Sequence, residues 1–217
     1  MLNEAKGING FLNHLNIDND VEIIIVDGGS TDQTVELVKK GTVISTSSGR
    51  AHQMNVGAKH SKGEILLFLH SDTYLPKNWQ HTLQNIESNI YWGRFDVRLD
   101  GEDFMFKIIA FFINLRSRST GIATGDQAIF ISKSLFDKVG GFADIPLMED
   151  ILISKQLKKH ITPTCLFDKV TTSSRRWQKH GIWKTIFTMW LLRLGYFLGI
   201  SAHRLHNIYY KNSLKVG

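Results

Sequence analysis

The sequence predicts an α/β fold in which helices cover both faces of a mostly parallel sheet. Continuous β-branched and apolar runs at residues 22–27 (EIIIVD) and 64–69 (EILLFL) are typical of buried parallel strands. Segments of this kind alternate with helix-like segments through the first two-thirds of the chain. The chain has 217 residues, of which 42% are hydrophobic and 21% charged, so it is not disordered and can bury a substantial core.

Local signals define the other elements in order along the chain. Shorter apolar or alternating runs predict further strands at residues 42–45, 91–99 and 128–132. Capping residues followed by helix-compatible segments predict helices at residues 31–40, 50–60, 76–88, 104–115, 133–139 and 149–159. Ser30 or Thr31 would cap the first of these helices. Pro76 suits the first turn of the third, because proline has no backbone N–H to leave unpaired.

The chain carries 26 Lys and Arg against 20 Asp and Glu, a formal net charge of +6. This excess predicts an anionic partner, such as nucleic acid, an acidic membrane or a phosphate-bearing substrate. The sequence has no recognised nucleic-acid-binding motif and no aromatic–basic sheet pattern, so we expect no nucleic acid partner. The single cysteine, Cys165, excludes an internal disulfide framework and a cysteine-based zinc site, and it fits a reducing, cytoplasmic location.

The composition changes after about residue 171, where the chain becomes basic, aromatic and helical. We therefore predict a main domain at residues 1–170 and a helical C-terminal extension at 171–217 that packs on the same domain. Within the extension, residues 182–200 form an amphipathic helix whose apolar runs are interrupted by Lys184 and Arg193, too short for the ~20 residues of a membrane span. This helix either packs on the core or lies at the inner face of the membrane as a peripheral contact.

Acidic residues stand at the ends of the predicted elements. Asp27 and Gly28 follow the first strand, the triplet His70-Ser71-Asp72 follows the strand at 64–69, and Glu149-Asp150 begins a helix. Ligands of α/β sheets bind at the carboxyl ends of the strands. Because a divalent ion allows carboxylates and phosphates to share a site, an acidic cleft in a basic protein indicates a metal and a phosphate-bearing ligand.

Taken together, these segments resemble the glycosyltransferase family 2 enzymes, which have the Rossmann-like GT-A fold. The matching stretches are LNEA (2–5), VDGGSTDQT (26–34), GRAHQMNVGA (49–58), GEILLFLHSDT (63–73), GGF (140–142) and ED (149–150). Further stretches resemble a bacterial subgroup labelled selenodomain-associated transferase 2 or arsenosugar-biosynthesis glycosyltransferase. They are FDVRLDG (95–101), TGIATGDQAIF (120–130), DIPLMED (144–150), SSRRW (173–177) and MWLLRLGYFLGI (189–200).

The resemblance implies an enzyme that transfers a sugar from a nucleoside diphosphate sugar to a hydroxyl acceptor, with inversion at the anomeric carbon. The residues that it implies on the nucleotide side are Asn3, Glu4, Asp27, Gly28, Gly29 and Arg50. Asp27 would contact the base or ribose, and the two glycines would let the backbone approach a ligand closely. The alternative is structural: a tight turn capped by Ser30, and a solvated arginine at a helix start.

The triplet His70-Ser71-Asp72 takes the place of the family's DXD motif, which holds Mg²⁺ or Mn²⁺ on the diphosphate of the donor. Such an ion neutralises the charge that develops on the leaving group. The resemblance makes Asp72 the expected ligand. His70 replaces the first aspartate and could bind the ion through nitrogen, hydrogen-bond a phosphate or only fill the turn. This substitution leaves strict metal dependence open.

Asp150 matches the family's catalytic base, which takes the proton of the acceptor hydroxyl. Glu149 would support it or contact the acceptor. Alternatively, both carboxylates only stabilise the start of a helix, where negative charge is favourable. The other residues expected on the acceptor or phosphate side are Asp96, Asp126, Arg176 and Trp177. For the last two, a solvated basic turn is the alternative interpretation.

The family has a buried strand directly before the LNEA segment, whereas the present sequence begins at Met1-Leu2. We therefore expect the first strand of the sheet to be missing, through either a misassigned start codon or a truncated copy. Unpaired strand edges are costly when buried. The alternative function is accordingly that of an N-terminally truncated, non-catalytic protein that binds nucleotide sugars.

Overall fold

The computed structural model describes residues 1–15, 17–18, 20–86, 88 and 90–214. Its helices are α1 (Ile8–His14), α2 (Arg50–His60), α3 (Trp79–Gln84), α4 (Phe104–Thr120), α5 (Lys133–Val139), α6 (Glu149–Leu157), α7 (Arg175–His180), α8 (Ile182–Phe197) and α9 (Ala202–Leu214). Its strands are β1 (Ile24–Asp27), β2 (Thr42–Ser45), β3 (Ile65–Leu67), β4 (Thr73–Tyr74), β5 (Trp92–Leu99), β6 (Phe130–Ser132) and β7 (Thr164–Thr172). The α/β class is thus confirmed.

The strands form a two-stranded sheet, β1-β2, and a five-stranded sheet in the order β3-β6-β5-β7-β4. Only β1–β2 and β5–β7 are parallel pairs among the described strands, so the sheet is mixed rather than mostly parallel. The reason lies in the connection before β6. Residues 121–129 carry the chain back past the end of β3, where Gly125 lies against the ring of His70. The strand therefore enters from that end and runs antiparallel to β3.

Met1 pairs with the edge of β1 that faces away from β2. Its amino group donates to the carbonyl of Val26 at 2.7 Å, and its carbonyl accepts from the N–H of Gly28 at 2.9 Å. These two bonds are one rung of a parallel ladder. In the described part of the chain, β1 and β3 belong to separate sheets, and no strand pairing joins them. Met1 thus pairs along the edge of β1 that β2 leaves open.

Helices pack on both faces of the five-stranded sheet, as predicted. One apolar cluster places Ala58 of α2 and Ile153 of α6 with Trp92 and Ile131 of the sheet. The other cluster brings α3 against Phe95, Phe130 and further residues of the sheet. This arrangement fixes the first turns of α2 and α6 on the same face, because both helices contribute to the first cluster.

Some elements differ from the sequence predictions. Residues 31–40 form turns instead of a helix, because Asp32 accepts hydrogen bonds from the N–H groups of Ala5 and Thr34 and so ties this segment to the N-terminal one. Helix α3 begins at Trp79 rather than at residue 76, and the far part of the predicted helix includes residue 87, outside the described residues. The sequence prediction missed α1 and β7.

The C-terminal helices pack against the start of α6. Leu192 of α8 and Leu205 of α9 are buried with Leu147, Met148 and Ile151. The opposite side of α8, with the residue that follows it, is an outward apolar stripe, defined by Trp183, Phe187, Trp190, Leu191, Leu194, Phe197 and Leu198, all more than half exposed. Within the described chain, every helix is too short or too polar to cross a bilayer. Helix α8 therefore contacts the core on one side and leaves a large apolar surface on the other.

Candidate active site

Asp27 ends β1 and is almost completely buried. Its carboxylate accepts hydrogen bonds from the N–H groups of Gly29 and Ser30, both at 2.9 Å, and from the Ser30 hydroxyl at 2.5 Å. Burial raises the pKa of Asp27, but the hydrogen bonds from Ser30 and Gly29 outweigh burial, and the pKa is lowered. Asp27 is thus an anion that fixes the loop after β1, and Gly29 reaches the left-handed φ of 89° that this loop requires.

The LNEA segment is hydrogen-bonded to this loop. The N–H of Asn3 donates to the Ser30 hydroxyl at 2.8 Å, and the Asn3 side-chain oxygen accepts from the N–H of Thr31 at 2.9 Å. The N–H of Glu4 donates to the Thr34 hydroxyl at 2.7 Å. The structure therefore brings Asn3, Glu4 and the Asp27 loop together, as the sequence predicted for one side of a binding site.

Arg50 begins α2 and reaches the first residue of α6. Its Nε atom lies 3.3 Å from Oε1 of Glu149, whose side chain is 5% exposed. The second carboxylate oxygen, Oε2, is buried and has no hydrogen-bond partner among the described residues. Burial raises the pKa of Glu149, and the charge of Arg50 only partly opposes this. The sequence indicated each residue separately but not their contact, since α2 and α6 are distant in sequence.

Asp150 is held by backbone groups. One carboxylate oxygen accepts from the N–H of Gly125 at 3.1 Å, and the other accepts from the N–H of Ile151 at 2.8 Å. Met148, two residues before Asp150, has a left-handed φ of 71°. This backbone conformation is uncommon for residues other than glycine and is concentrated at functional sites. Asp150 therefore lies in a fixed orientation between the start of α6 and the turn at Gly125.

The turn at Gly125–Gln127 also brings His70 and Asp126 to this place. The Nδ1 atom of His70 lies 3.7 Å from Oδ1 of Asp126. A Cβ atom on Gly125 would stand 2.7 Å from the His70 ring, so only glycine fits there without movement. One turn thus groups four titratable side chains: His70, Asp126, Glu149 and Asp150. The Asp126 side chain is 54% exposed, whereas that of its partner His70 is 25% exposed.

Asp72 pairs with α7: its Oδ2 lies 3.5 Å from Nη2 of Arg175. Across residues 1–15, 17–18, 20–86, 88 and 90–214, no three His, Cys, Asp or Glu side chains converge as a metal site. These described residues thus provide no complete set of ligands by themselves. The partly exposed carboxylate of Asp72 fits an ion held mainly by substrate phosphates and water, which is how Mg²⁺ is commonly bound in phosphate sites.

Asp96 does not join this group. It is buried, and its carboxylate oxygens accept from Arg94 and, at 2.9 Å, from Arg118. The sequence prediction of an acceptor contact is not supported at Asp96, because two arginines occupy both of its oxygens.

Arg176 lies over the ring of Tyr209, 5.3 Å from its centroid, and lines a cavity of about 240 Å³ among the C-terminal helices. Trp177 is a half-buried residue of α7.

Two arginines near the site were missed by the sequence analysis. Arg116 of α4 and Arg193 of α8 both have lowered pKa values, caused first by burial. For Arg193, the charges of Asp150 and Asp126 oppose this lowering. For Arg193, the available signal was its charge in an apolar segment of α8, which we had interpreted, with Lys184, only as an interruption of a membrane span.

The comparisons with known proteins concern the family and the fold of the chain. The model of the family described as Glycosyl transferase family 2 matches residues 1–143. A 67-residue segment is 34% identical to the poly(ribitol-phosphate) beta-N-acetylglucosaminyltransferase TarS of Staphylococcus aureus, covering 27% of this chain and 12% of TarS. A 74-residue segment is 42% identical to an uncharacterized glycosyltransferase of Haemophilus influenzae, covering 31% of this chain and 25% of that protein.

Solved structures share the fold. The crystal structure of S. aureus TarS residues 1–349 in complex with UDP superposes with a TM-score of 0.62 and 21% identity, over 80% of this chain and 58% of that one. The mannosyltransferase PcManGT from Pyrobaculum calidifontis, in complex with GDP-Man and Mn²⁺, gives a TM-score of 0.57 and 20% identity, over 79% and 54%. The chain spans little more than half of these structures. With two-thirds of its length matched by the family model, the chain belongs to glycosyltransferase family 2.

Proposed function

We propose that this protein transfers a sugar from a nucleoside diphosphate sugar to a hydroxyl group of an acceptor, with inversion at the anomeric carbon. The observation that carries the proposal is the contact between the starts of α2 and α6. It brings Arg50, on the nucleotide side, to 3.3 Å from Glu149, directly beside Asp150. A base and a donor site must be neighbours in such a reaction, because the acceptor oxygen attacks the carbon that carries the diphosphate.

In the proposed reaction, Asp150 is the general base. As the acceptor oxygen bonds to the anomeric carbon, the bond from that carbon to the diphosphate oxygen breaks, and the acceptor proton passes to the Asp150 carboxylate. The nucleoside diphosphate leaves with the bonding electrons. The hydrogen bonds from Gly125 and Ile151 hold the carboxylate in one orientation. Glu149 supports this arrangement through Arg50.

The nucleotide side of the proposal rests on the loop after β1. In this loop Asp27 accepts a hydrogen bond from the N–H of Gly29, and the N–H groups of Asn3 and Glu4 donate to the hydroxyls of Ser30 and Thr34. TarS has been crystallised in complex with UDP-GlcNAc and PcManGT in complex with GDP-Man. By similarity of fold, we infer that the present chain binds a donor of this class in the same region. The base and the sugar are left open.

A divalent ion, Mg²⁺ or Mn²⁺, is the proposed cofactor. PcManGT is bound to Mn²⁺ in its structure. In this chain Asp72 would contribute one oxygen ligand, and His70, next to Asp126, is the second candidate. When bound, the ion would stabilise the charge of the leaving diphosphate. Arg175, which already pairs with Asp72, contributes positive charge at the same place.

We further propose that the apolar stripe of α8 lies on an acidic membrane surface, at the cytoplasmic face. Charge supports this choice of partner: residues 169–217 contain no Asp or Glu and include Lys169, Arg175, Arg176, Lys179, Lys184, Arg193, Arg204, Lys211 and Lys215. An apolar stripe flanked by cations is typical of interfacial helices. Co-sedimentation with phosphatidylglycerol vesicles at low salt, reversed as salt rises, is the expected result; no binding at low salt would contradict it.

The decisive experiment compares Asp150→Asn with Glu149→Gln. Turnover of a panel of UDP- and GDP-sugars, including donor hydrolysis, is measured together with donor affinity. We expect Asp150→Asn to lower turnover by ~10²–10⁴ while donor affinity is retained, because the general base is lost and the nucleotide loop is intact. Normal turnover in Asp150→Asn with an inactive Glu149→Gln would move the base by one residue. If both variants are active, Asp126 is the next residue to test.

The alternative function is binding of nucleotide sugars without transfer. The observation in its favour is the missing pairing between β1 and β3, which separates the Asp27 loop from the sheet that carries the rest of the site. A donor bound by the wild-type protein without hydrolysis or transfer in the same panel would favour this alternative. Measurable donor hydrolysis would exclude it.

A further inference from the structure

A cavity of about 240 Å³ lies among α7, α8 and α9, and no step of the proposed sugar transfer uses it. Helix α7 lines it with Arg176 and His180, which are four residues apart and therefore share one face of that helix. Helix α8 lines it with Lys184. Two cations and an imidazole, all of which donate hydrogen bonds from nitrogen, thus meet at one cavity.

No carboxylate of the described chain balances these groups. Arg176, His180 and Lys184 have no described Asp or Glu within ion-pair distance. Residues 169–217, which include all three helices, contain neither residue type. The Arg176 guanidinium instead lies over the ring of Tyr209, 5.3 Å from its centroid, and a guanidinium on an aromatic face keeps its N–H donors at its edge. A negative partner of the cavity would therefore come from outside the extension.

The hydroxyl groups of α8 leave nitrogen as the main source of donors in the cavity. Thr185 donates to the carbonyl of Gly181 at 2.8 Å. Thr188 donates to the carbonyl of Lys184, also at 2.8 Å, so both hydroxyl protons already have acceptors. The nitrogen donors suit phosphate, whose oxygens accept charge-assisted hydrogen bonds from arginine and lysine. A phosphate monoester presents three terminal oxygens to the three side chains, whereas a carboxylate presents only two.

The position of the cavity on α8 indicates where the phosphate comes from. Lys184 and Thr188 directly follow Trp183 and Phe187, two residues of the apolar stripe. Successive residues of an α-helix are turned by about 100°, so these cavity residues stand about a quarter turn away from the stripe. When the apolar face of a helix is buried at a membrane surface, its flank lies at the level of the lipid headgroups.

We propose that the cavity binds the phosphate monoester headgroup of a membrane lipid through Arg176, His180 and Lys184. The phosphate site follows from the cavity itself, whereas the lipid as its source rests on the proposed membrane contact of α8. The apolar stripe then supplies affinity for the bilayer, and the cavity selects among its anionic lipids.

The test compares cavity variants with matched controls. Lys184→Gln is paired with Lys179→Gln, and Arg176→Gln with Arg204→Gln, because Lys179 of α7 and Arg204 of α9 are exposed cations that do not line the cavity. Binding is measured by co-sedimentation with phosphatidylcholine vesicles that contain either phosphatidic acid, a monoester, or phosphatidylglycerol, a diester. The two kinds of vesicle are adjusted to the same zeta potential, so that they differ in headgroup but not in surface charge.

We expect wild type to prefer phosphatidic acid. On those vesicles Lys184→Gln and Arg176→Gln should each weaken binding by ~10–100-fold, because each loses a charge-assisted hydrogen bond. The two controls should lose roughly fivefold, as expected for one cation near an anionic surface. Equal binding of both vesicles by wild type, or equal losses in the cavity variants and their controls, would overturn the proposal and leave the membrane contact of the stripe intact.

Glycerol 3-phosphate, the headgroup of phosphatidic acid, tests the cavity without a membrane. Calorimetry should detect its binding to wild type and a weaker binding to Lys184→Gln. If wild type binds neither kind of vesicle, this result retains the phosphate site and refutes the lipid as its source. Failure to bind both vesicles and glycerol 3-phosphate would overturn the proposal. No nucleotide sugar takes part in either measurement, so the outcome is independent of the proposed sugar transfer.

Arg176→Gln also removes the contact with the Tyr209 ring, so its thermal unfolding midpoint is measured as well. An unchanged midpoint with weakened binding of phosphatidic acid is the expected result. A lowered midpoint with unchanged binding would show that Arg176 only packs on Tyr209 and would overturn the proposal.

Discussion

The Nε atom of Arg50 lies 3.3 Å from the buried carboxylate of Glu149, and this contact joins the two sides of the site. Arg50 begins α2, the helix whose Gln53 side chain is hydrogen-bonded to β1. Glu149 begins α6, the helix that carries Asp150. Burial raises the pKa of Glu149, and Arg50 is the largest influence that lowers it. The pKa of Glu149 therefore depends on a residue of a different helix, α2.

Removal of Arg50 should move the pH dependence of turnover. In Arg50→Gln, the pKa of Glu149 rises further, because the opposing positive charge is lost. We expect the acidic limb of the kcat profile to shift to higher pH, while Arg204→Gln leaves it in place.

The double variant Arg50→Gln, Glu149→Gln identifies the titrating group. If the shift caused by Arg50→Gln disappears in the Glu149→Gln background, Glu149 is responsible. If the shift persists there, the group is a different one, and Asp150 becomes the candidate.

Glu149 should also make stability depend on pH. Its pKa in the folded state is raised above the ordinary value of 4.5, so the unfolded chain releases this proton first. The contribution to stability is present below that value and is lost as pH rises through the folded pKa. In urea unfolding between pH 4 and 8, wild type should lose stability relative to Glu149→Gln as pH increases. Parallel curves for the two proteins would disprove this assignment.

The metal proposal predicts that substitutions of Asp72 and His70, which take the place of the two aspartates of the DXD motif, affect donor binding differently. Asp72→Ala should weaken Mn²⁺-dependent donor binding more than His70→Ala, because the carboxylate supplies the harder ligand and His70 faces Asp126. Asp137→Ala is the matched control, since it removes one carboxylate from an exposed residue of α5 outside the site. Donor affinity that is the same with and without chelator in wild type would argue against a metal bridge.

Asp96 should matter for stability rather than for the reaction. Its carboxylate pairs with the buried Arg94 and with Arg118, and removing one partner of a buried pair typically costs about 3–5 kcal/mol. Asp96→Ala is therefore expected to lower the free energy of unfolding by this order, while Asp137→Ala, an exposed residue of α5, should have little effect. A stable Asp96→Ala protein with impaired acceptor use would restore the acceptor role that the sequence suggested.

The sequence predicted those parts of the site that depend on local pattern. Asp27 stands at a strand end and Asp150 at a helix start, and both positions follow from apolar runs and capping signals. The pairing of Arg50 with Glu149 could not be predicted, because it depends on two helices that meet only in the folded protein. The prediction of a helix at residues 31–40 was wrong for a similar reason. Asp32 accepts a hydrogen bond from the N–H of Ala5, which is distant in sequence.

The separation of the two sheets has a consequence for local unfolding. Helix α2 bridges them: the side chain of Gln53 donates to Val26 at 3.0 Å, and that of Asn55 donates to the carbonyl of Phe142 at 2.7 Å. With no ladder to β3 in the described chain, β1 and β2 can open together with little disturbance of the larger sheet. Amide protons of β1 and β2 would then exchange with solvent as one group and faster than those of β5, and a bound nucleotide would slow that exchange by closing the opening.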